Sequence, residues 1–287
     1  MLEQNLFSIA FLSQIVLASI YIPSKIVRRM SFVFETYPPT THPLLYPKPF
    51  DDYVAKQRRY RMANQIIAGI GFLVLAGSMF VPRGRELMNG MAFLFFLIQV
   101  LPLVWIEATV RKELKLMRSL NPRTTRTAEL NPRKLFDVLT PALFWTTVFV
   151  YVAFWVFIAW FRQFDYPWFG GFINNFIITG LNVFFASILL WFMYGKKLNP
   201  HQSTDDRMLI TRRLATVMCL VSIAVTLYAV ITIYLSAEDA RAFQPFARSV
   251  YFQVVILLSV QTYRVDLLDF DVYRGEAQAT LRNGETP

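Results

Sequence analysis

The residues most able to do chemistry in this 287-residue chain are uncharged amides and hydroxyls within long apolar segments. Asn175, Thr179 and Asn182 recur at i, i+4 and i+7, which places them on one stripe of a helix. Gln99 and Gln253 lie in two other apolar segments. Amides in a membrane mostly join neighbouring helices by hydrogen bonds. We therefore predict packing as the commoner role, with a neutral polar pocket built from these five side chains as the alternative.

Ionisable groups are missing from the middle of every apolar segment. Since proton transfer and charge movement within a bilayer need such groups, this pattern argues against a proton pump, a voltage sensor and an intramembrane acid–base enzyme. His42 and His201 lie in polar connections, without the ligand spacing of a structural zinc site. Phosphate-binding glycine loops and hydrolase motifs are also missing from the sequence. We predict no catalytic residue, no metal ligand and no cofactor, and favour a protein that is not an enzyme.

Basic side chains cluster beside the apolar segments. Lys56, Arg58, Arg59 and Arg61 precede the second segment and are predicted to lie at lipid headgroups. A Lys or Arg near an anionic membrane surface contributes about 1 kcal/mol of binding. The basic residues are divided among three connections and form no nucleic-acid reader motif, so we expect anionic lipids and no nucleic acid as partners.

The connection 23–65 is rich in proline and tyrosine. Six of the fifteen prolines lie in it, and most follow Tyr37 and Tyr46 closely. Because proline lacks an N–H and restricts the preceding residue, we predict a helical continuation over 25–36, an extended stretch, and a new helix from about Asp51. Tyr37 and Tyr46 are candidate contacts for a membrane or cytoplasmic protein partner.

The composition defines the class of protein. Hydrophobic residues make up 55% of the chain and charged residues only 17%, against about 25% in soluble domains, and the mean hydropathy is +0.40. Spans of about 20 apolar residues are needed to cross a bilayer. Seven candidate segments are found, at 5–22, 66–80, 90–106, 138–161, 169–194, 214–235 and 249–263. The seventh is the weakest because Arg248 and Gln253 lie near its start, and a six-span bundle with an interfacial last segment is the alternative.

The charge distribution predicts an orientation. Of the 29 Lys and Arg residues, 24 lie in the connections 23–65, 107–137 and 195–213 and in the tail from Arg264. Since basic residues favour the cytoplasmic face, we predict an outside N-terminus and a cytoplasmic C-terminus. The first segment follows Glu3 and precedes its basic residues, which is the reverse of a signal peptide and indicates a retained helix.

The fold prediction is an all-α, polytopic membrane helix bundle, formed by one transmembrane domain over 1–265. An acidic cytoplasmic tail follows at 266–287. It is expected to be partly disordered, with Asp266, Asp269 and Asp271 docking a short segment against the basic loops.

Two functions are compatible with this bundle. The first is a non-enzymatic subunit or scaffold that presents its basic cytoplasmic loops to a partner or to anionic lipid. The alternative is a transporter or receptor that binds a neutral or lipid-like ligand in the polar, uncharged pocket within the bundle. The compact architecture favours a bacterial inner membrane as its location.

Overall fold

A computed structural model describes residues 2–80, 85–120, 134–195, 199, 202–260 and 268–274. Within these ranges the chain is helical and contains no strand. Seven helices are long and apolar enough to cross a membrane. The all-α, multi-pass prediction is confirmed, and the chain is an integral membrane protein.

The helices follow one another with short connections. They are α1 (Leu2–Ile15), a π-helical segment (Val16–Tyr21), α2 (Ile22–Thr36), α3 (Phe50–Phe80), α4 (Arg85–Leu120), α5 (Leu135–Val138), α6 (Pro141–Phe161), α7 (Ile173–Tyr194), α8 (Thr204–Ala237) and α9 (Gln244–Val260). Single 3-10 turns lie at Pro43–Leu45, Arg162–Phe164, Arg241–Phe243 and Asp271–Tyr273. The first span thus continues without a break through the π-helical segment into α2.

Most predicted helix boundaries are confirmed. α2 ends at Thr36 and α3 begins at Phe50, with Asp51 and Asp52 in its first turn, where carboxylates favour the helix dipole. α3, α4 and α8 contain 31, 36 and 34 residues, more than the ~20 residues that cross a bilayer. These helices therefore extend beyond the hydrocarbon layer.

Two spans begin at a different residue from the predicted one. The fourth begins at Pro141 and not at 138, because Thr140 is extended before a proline that opens the helix. The seventh spans Arg241–Val260 and begins eight residues before the predicted start at 249. Its 20 residues meet the same length and composition criteria as the other six, which favours seven spans over six. The predicted last three positions, 261–263, lie outside the described residues.

α9 joins two groups of helices. It packs against α1 and α4 on one side and against α8 on the other, while α8 packs against α6 and α7. The surface of the bundle is apolar: Leu73, Phe149 and Phe176 are each about 70% exposed. Because a soluble protein would bury such residues, the exposed surface fits contact with lipid tails.

The two ends of the bundle differ. At the basic end, defined by the end of α4 and the starts of α3 and α8, Lys56 of α3 is hydrogen-bonded to Glu113 of α4. At the opposite end, defined by the connections 162–172 and 238–243, Arg241 lies over the ring of Trp168. Aromatic side chains crowd this second end, as expected at a membrane interface.

A cap, formed by residues 37–46 and the tail segment 268–274, covers part of the basic end. The rings of Tyr37 and Phe270 stack with centroids 4.5 Å apart. His42 Nε2 lies 4.0 Å from Asp271 Oδ1. The tail therefore docks through aromatic rings and one histidine, and the carboxylate of Asp269 is exposed. Asp266, which was expected to take part, lies outside the described residues.

Candidate functional site

Gln99 and Gln253 belong to a buried glutamine network between α1, α4 and α9. Gln14 of α1 connects them, since its Nε2 donates to Gln99 Oε1 at 3.0 Å and its Oε1 accepts from Ser249 Oγ at 2.7 Å. Gln99 Nε2 also donates to Ser19 Oγ at 2.9 Å, within the π-helical segment. The network thus links three spans through side chains that are at most 3% exposed.

The glutamines of this network have their hydrogen bonds met inside the protein. Gln253 Nε2 donates to the carbonyl of Ala10 at 3.0 Å, and its Oε1 accepts from Ser13 Oγ at 3.0 Å. Gln99 Nε2 makes a second, longer bond to the carbonyl of Gln14, just before the π-helical segment. Each of the three amides therefore has partners for both its nitrogen and its oxygen, which corresponds to a packing role.

Thr179 and Asn182 lie in a different group, between α6, α7 and α8. The hydroxyls of Tyr151 and Thr179 are 2.8 Å apart, and Tyr151 is the donor because Thr179 donates to the carbonyl of Asn175. Ser222 of α8 donates to Asn182 Oδ1, while Asn182 Nδ2 donates to the carbonyl of Ile178. The stripe predicted on α7 exists, but its hydrogen bonds run to α6 and α8 and not to the glutamine network. The five predicted ligand residues thus occupy two sites.

Asn175 differs from the other members of that stripe. Its side chain is completely buried, and neither Oδ1 nor Nδ2 has a hydrogen-bond partner among the described residues. Trp155, one turn from Tyr151 on α6, likewise has a buried Nε1 without a partner in the same part of the chain. An unsatisfied buried amide costs about 1–3 kcal/mol. Asn175 is therefore the predicted ligand residue that retains hydrogen-bonding capacity.

The four predicted basic contacts on α3 are placed in two ways. Lys56 is buried: its Nζ lies 2.7 Å from Glu113 Oε2 and 4.8 Å from the ring centroid of Tyr53. Arg58, Arg59 and Arg61 are exposed. Lys56 is thus occupied by an internal ion pair, and the three arginines form the accessible basic surface of this helix.

Tyr37 and Tyr46 both make contacts within the cap and the neighbouring helices. Tyr46 donates its hydroxyl to the carbonyl of Tyr37 at 2.7 Å, and its ring packs against Phe50 and Tyr53. Burial raises the pKa of the Tyr46 hydroxyl to about 12 because the charged form would lose its hydration. The two tyrosines hold the connection against the helices that flank it.

A pocket of about 310 Å³ lies at the opposite end, between the start of α7, the end of α8 and the start of α9. Arg248 Nε donates to the hydroxyl of Tyr228 at 3.0 Å, and Gln244 Nε2 donates to Ser236 Oγ at 2.8 Å. The remaining lining residues are Trp168, Phe169, Gly170, Asn174, Thr232 and Ile233. The sequence analysis did not predict this pocket.

A signal for the pocket was present in the sequence. Arg241, Gln244 and Arg248 recur at i, i+3 and i+7, which is the spacing of one helical face. Arg248 was taken only as weakening the seventh span. The polar face became interpretable as a site once Tyr228 and Trp168 were found beside it.

The described part of the chain contains no group of three or more His, Cys, Asp or Glu side chains that could hold a metal ion. The chain matches no protein-family model, and comparisons with curated proteins and with solved structures find no match either. The site residues must therefore be interpreted from their own geometry.

Proposed function

We propose that this protein is a non-enzymatic membrane scaffold or subunit whose basic end binds anionic lipids and a partner protein. In this proposal the N-terminus is outside, the basic end is cytoplasmic, and the host is a bacterial inner membrane. The observation that carries the proposal is the position of three exposed arginines, Arg58, Arg59 and Arg61, at the end of the lipid-facing surface of α3.

The lipid-facing surface of α3 leads directly to these arginines. Arg58, Met62, Ile66 and Leu73 follow at i, i+4, i+8 and i+15, so they share one helical face. Ile66 is 60% exposed and Leu73 is 74% exposed. Since that apolar stripe faces lipid tails, a guanidinium one turn beyond it is at the depth of the headgroups.

Two further observations support a scaffold over a catalyst. The polar groups of the glutamine network bond to one another, which holds three spans together without leaving a reactive group. The cap folds the connection 37–46 and the tail segment 268–274 into one surface at the basic end. We propose this folded surface, rather than Tyr37 and Tyr46 alone, as the contact for a protein partner.

The lipid part of the proposal can be tested by native mass spectrometry. The full chain is purified from mixed vesicles of phosphatidylglycerol and phosphatidylcholine, and the retained lipids are counted. We expect the preference for phosphatidylglycerol to fall about fivefold for each arginine removed by Arg58→Gln, Arg59→Gln and Arg61→Gln. Arg162→Gln, at the opposite end, is the control and should leave the preference unchanged. An undiminished preference in the triple variant would overturn the proposal.

A transporter or receptor for a neutral or lipid-like ligand is the second candidate. The buried, unpartnered amide of Asn175 favours it, because a ligand would satisfy both of its polar atoms. The same mass spectra distinguish the candidates. A small molecule that stays with the wild-type protein and is lost from Asn175→Leu would favour the second function over the scaffold.

A further inference from the structure

The pocket at the opposite end combines aromatic walls with polar side chains from three helices. Trp168, Phe169 and Tyr228 contribute the aromatic surfaces. Asn174 of α7 and Gln244 of α9 contribute amides on different sides of the opening. A lining that mixes large apolar faces with a few polar groups is typical of a small-molecule site, and a volume of about 310 Å³ suits a ligand of modest size.

The hydrogen-bonding capacity of the lining indicates what kind of ligand fits. Asn174 Nδ2 donates to the carbonyl of Gly171, and Gln244 Nε2 donates to Ser236 Oγ and to the carbonyl of Thr232. The side-chain oxygens of both amides accept no hydrogen bond among the described residues. The Tyr228 hydroxyl, which accepts from Arg248, still has its own proton to donate.

This combination suits hydroxyl groups better than a bare anion. Amide oxygens need a donor from the ligand, and a phosphate or carboxylate has none to offer. A hydroxyl both donates and accepts, so it can bond to the amide oxygen of Asn174 or Gln244 and also to the hydroxyl of Tyr228. The aromatic walls additionally favour a ligand with a flat apolar face.

We propose that this pocket binds a neutral, polyhydroxylated ring of the sugar or cyclitol class. The C–H face of the ring packs on Trp168 or Phe169, while its hydroxyls bond to Asn174, Gln244 and Tyr228. Because the pocket lies beside the aromatic residues of a membrane interface, two sources supply this chemistry: a free sugar from the aqueous side or the headgroup of a glycolipid. The site is remote from Arg58, Arg59 and Arg61, so it does not depend on lipid binding at the basic end.

The test uses the full chain in phosphatidylcholine nanodiscs, since glycoside detergents carry a sugar that would compete. Saturation-transfer NMR is recorded with glucose, galactose, N-acetylglucosamine and myo-inositol. We expect transfer to the ring protons of at least one compound, and affinity about tenfold or more weaker in Gln244→Leu. Arg162→Gln is the matched control, because Arg162 also lies over an aromatic ring at this end but does not line the pocket. If Gln244→Leu fails to fold, Asn174→Leu replaces it.

A second arm distinguishes the two sources. Nanodiscs that contain glucosyl-diacylglycerol should raise the Tm of the wild-type protein more than that of Gln244→Leu if a lipid headgroup is the ligand. Binding of a free compound identifies an aqueous sugar, and a response limited to the glycolipid discs identifies the headgroup. The proposal is overturned if neither arm responds. It is also overturned if glycerol 3-phosphate binds and the ring compounds do not, because the pocket would then be an anion site.

Discussion

Gln14 is the residue on which the contact between α1, α4 and α9 depends. Its Nε2 donates to Gln99 Oε1 and to the carbonyl of Ala92, and its Oε1 accepts from Ser249. Since the site is completely buried, water cannot replace a lost partner. Removing this one amide leaves polar atoms on two other helices without a bond.

Gln14→Leu is therefore expected to destabilise the bundle by about 1–2 kcal/mol, the upper range for interhelical hydrogen bonds in membrane proteins. The change keeps a side chain of similar size and removes only the polar atoms. The midpoint of unfolding in a mixed-detergent titration measures the effect. Gln163→Leu, at an exposed position in the 3-10 turn after α6, is the control and should be close to neutral. Equal midpoints for Gln14→Leu and the control would show that the network does not stabilise the fold.

The limits of sequence reasoning are visible at these same residues. The sequence correctly singled out Gln99, Gln253 and the stripe on α7 as polar groups in apolar spans. It could not show which of them meet, because an amide on one helix can bond to any neighbour, and Gln14 joins its partners across 85 and 235 residues of chain. Lys56 is similar: its headgroup position was predicted from local sequence, whereas Glu113, 57 residues away, buries it.

At the scale of elements, α3 packs closely on α1 and α4 through a residue without a side chain. A Cβ on Gly71 would lie 2.5 Å from Phe95 Cζ and 3.0 Å from Ile15 Cγ1. The Phe95 ring is buried and packs edge-on against Phe11 at a centroid distance of 5.2 Å, so it has little room to move. Small residues at such positions let membrane helices approach each other.

Gly71→Ala should destabilise the contact of α3 with α1 and α4 by about 1–3 kcal/mol, the usual cost of overpacking. Gly77→Ala on the same helix is the matched control, since a Cβ there meets no atom within 4 Å. The control should be neutral or stabilising by up to about 1 kcal/mol, because alanine favours a helix more than glycine does. Thermal unfolding of both variants in the same nanodiscs compares them. A loss of similar size at both glycines would point to helix propensity and not to packing.

Helix existence was predictable to a greater extent than helix contact. Seven spans and the helical continuations of α2, α3 and α4 follow from apolar length and from proline positions, which are local properties. The start of α6 was displaced by three residues because the effect of Thr140-Pro141 outweighed apolarity. The pocket between α7, α8 and α9 depends on how three helices meet, and no local pattern encodes that meeting.

On the scale of the whole molecule, the two ends of the bundle do different things. At the basic end, exposed arginines adjoin a cap closed by the tail, while the opposite end has an aromatic surface with an open pocket. His42 connects the two parts of the cap. It is buried, its Nδ1 is 2.8 Å from Thr41 Oγ1, and its Nε2 faces Asp271. The protonation state of one side chain is thereby coupled to the docking of residues 268–274.

The direction of this coupling follows from the surroundings of His42. Burial lowers its pKa from the usual 6.5, and the nearby charge of Arg274 lowers it further, while Asp271 opposes both. The docked state therefore prefers neutral histidine, and the undocked tail binds the proton more tightly. Docking is fully stabilised above the undocked pKa of 6.5 and is weakened as the pH falls through that value toward the lowered pKa of the docked state.

We accordingly expect amide hydrogen exchange of residues 268–274 to be faster at pH 5.5 than at pH 7.5, after correction for the intrinsic rates. The amides of Tyr273 and Arg274 are hydrogen-bonded in the docked tail, so their exchange reports its release. His42→Gln cannot gain a proton and should abolish the pH dependence while leaving the tail docked at both values. Release that is independent of pH in the wild type, or an equal response in His42→Gln, would assign the control of docking to other groups. Because the tail and the connection 37–46 form one surface, a confirmed response would mean that acidification changes what the basic end presents to a partner.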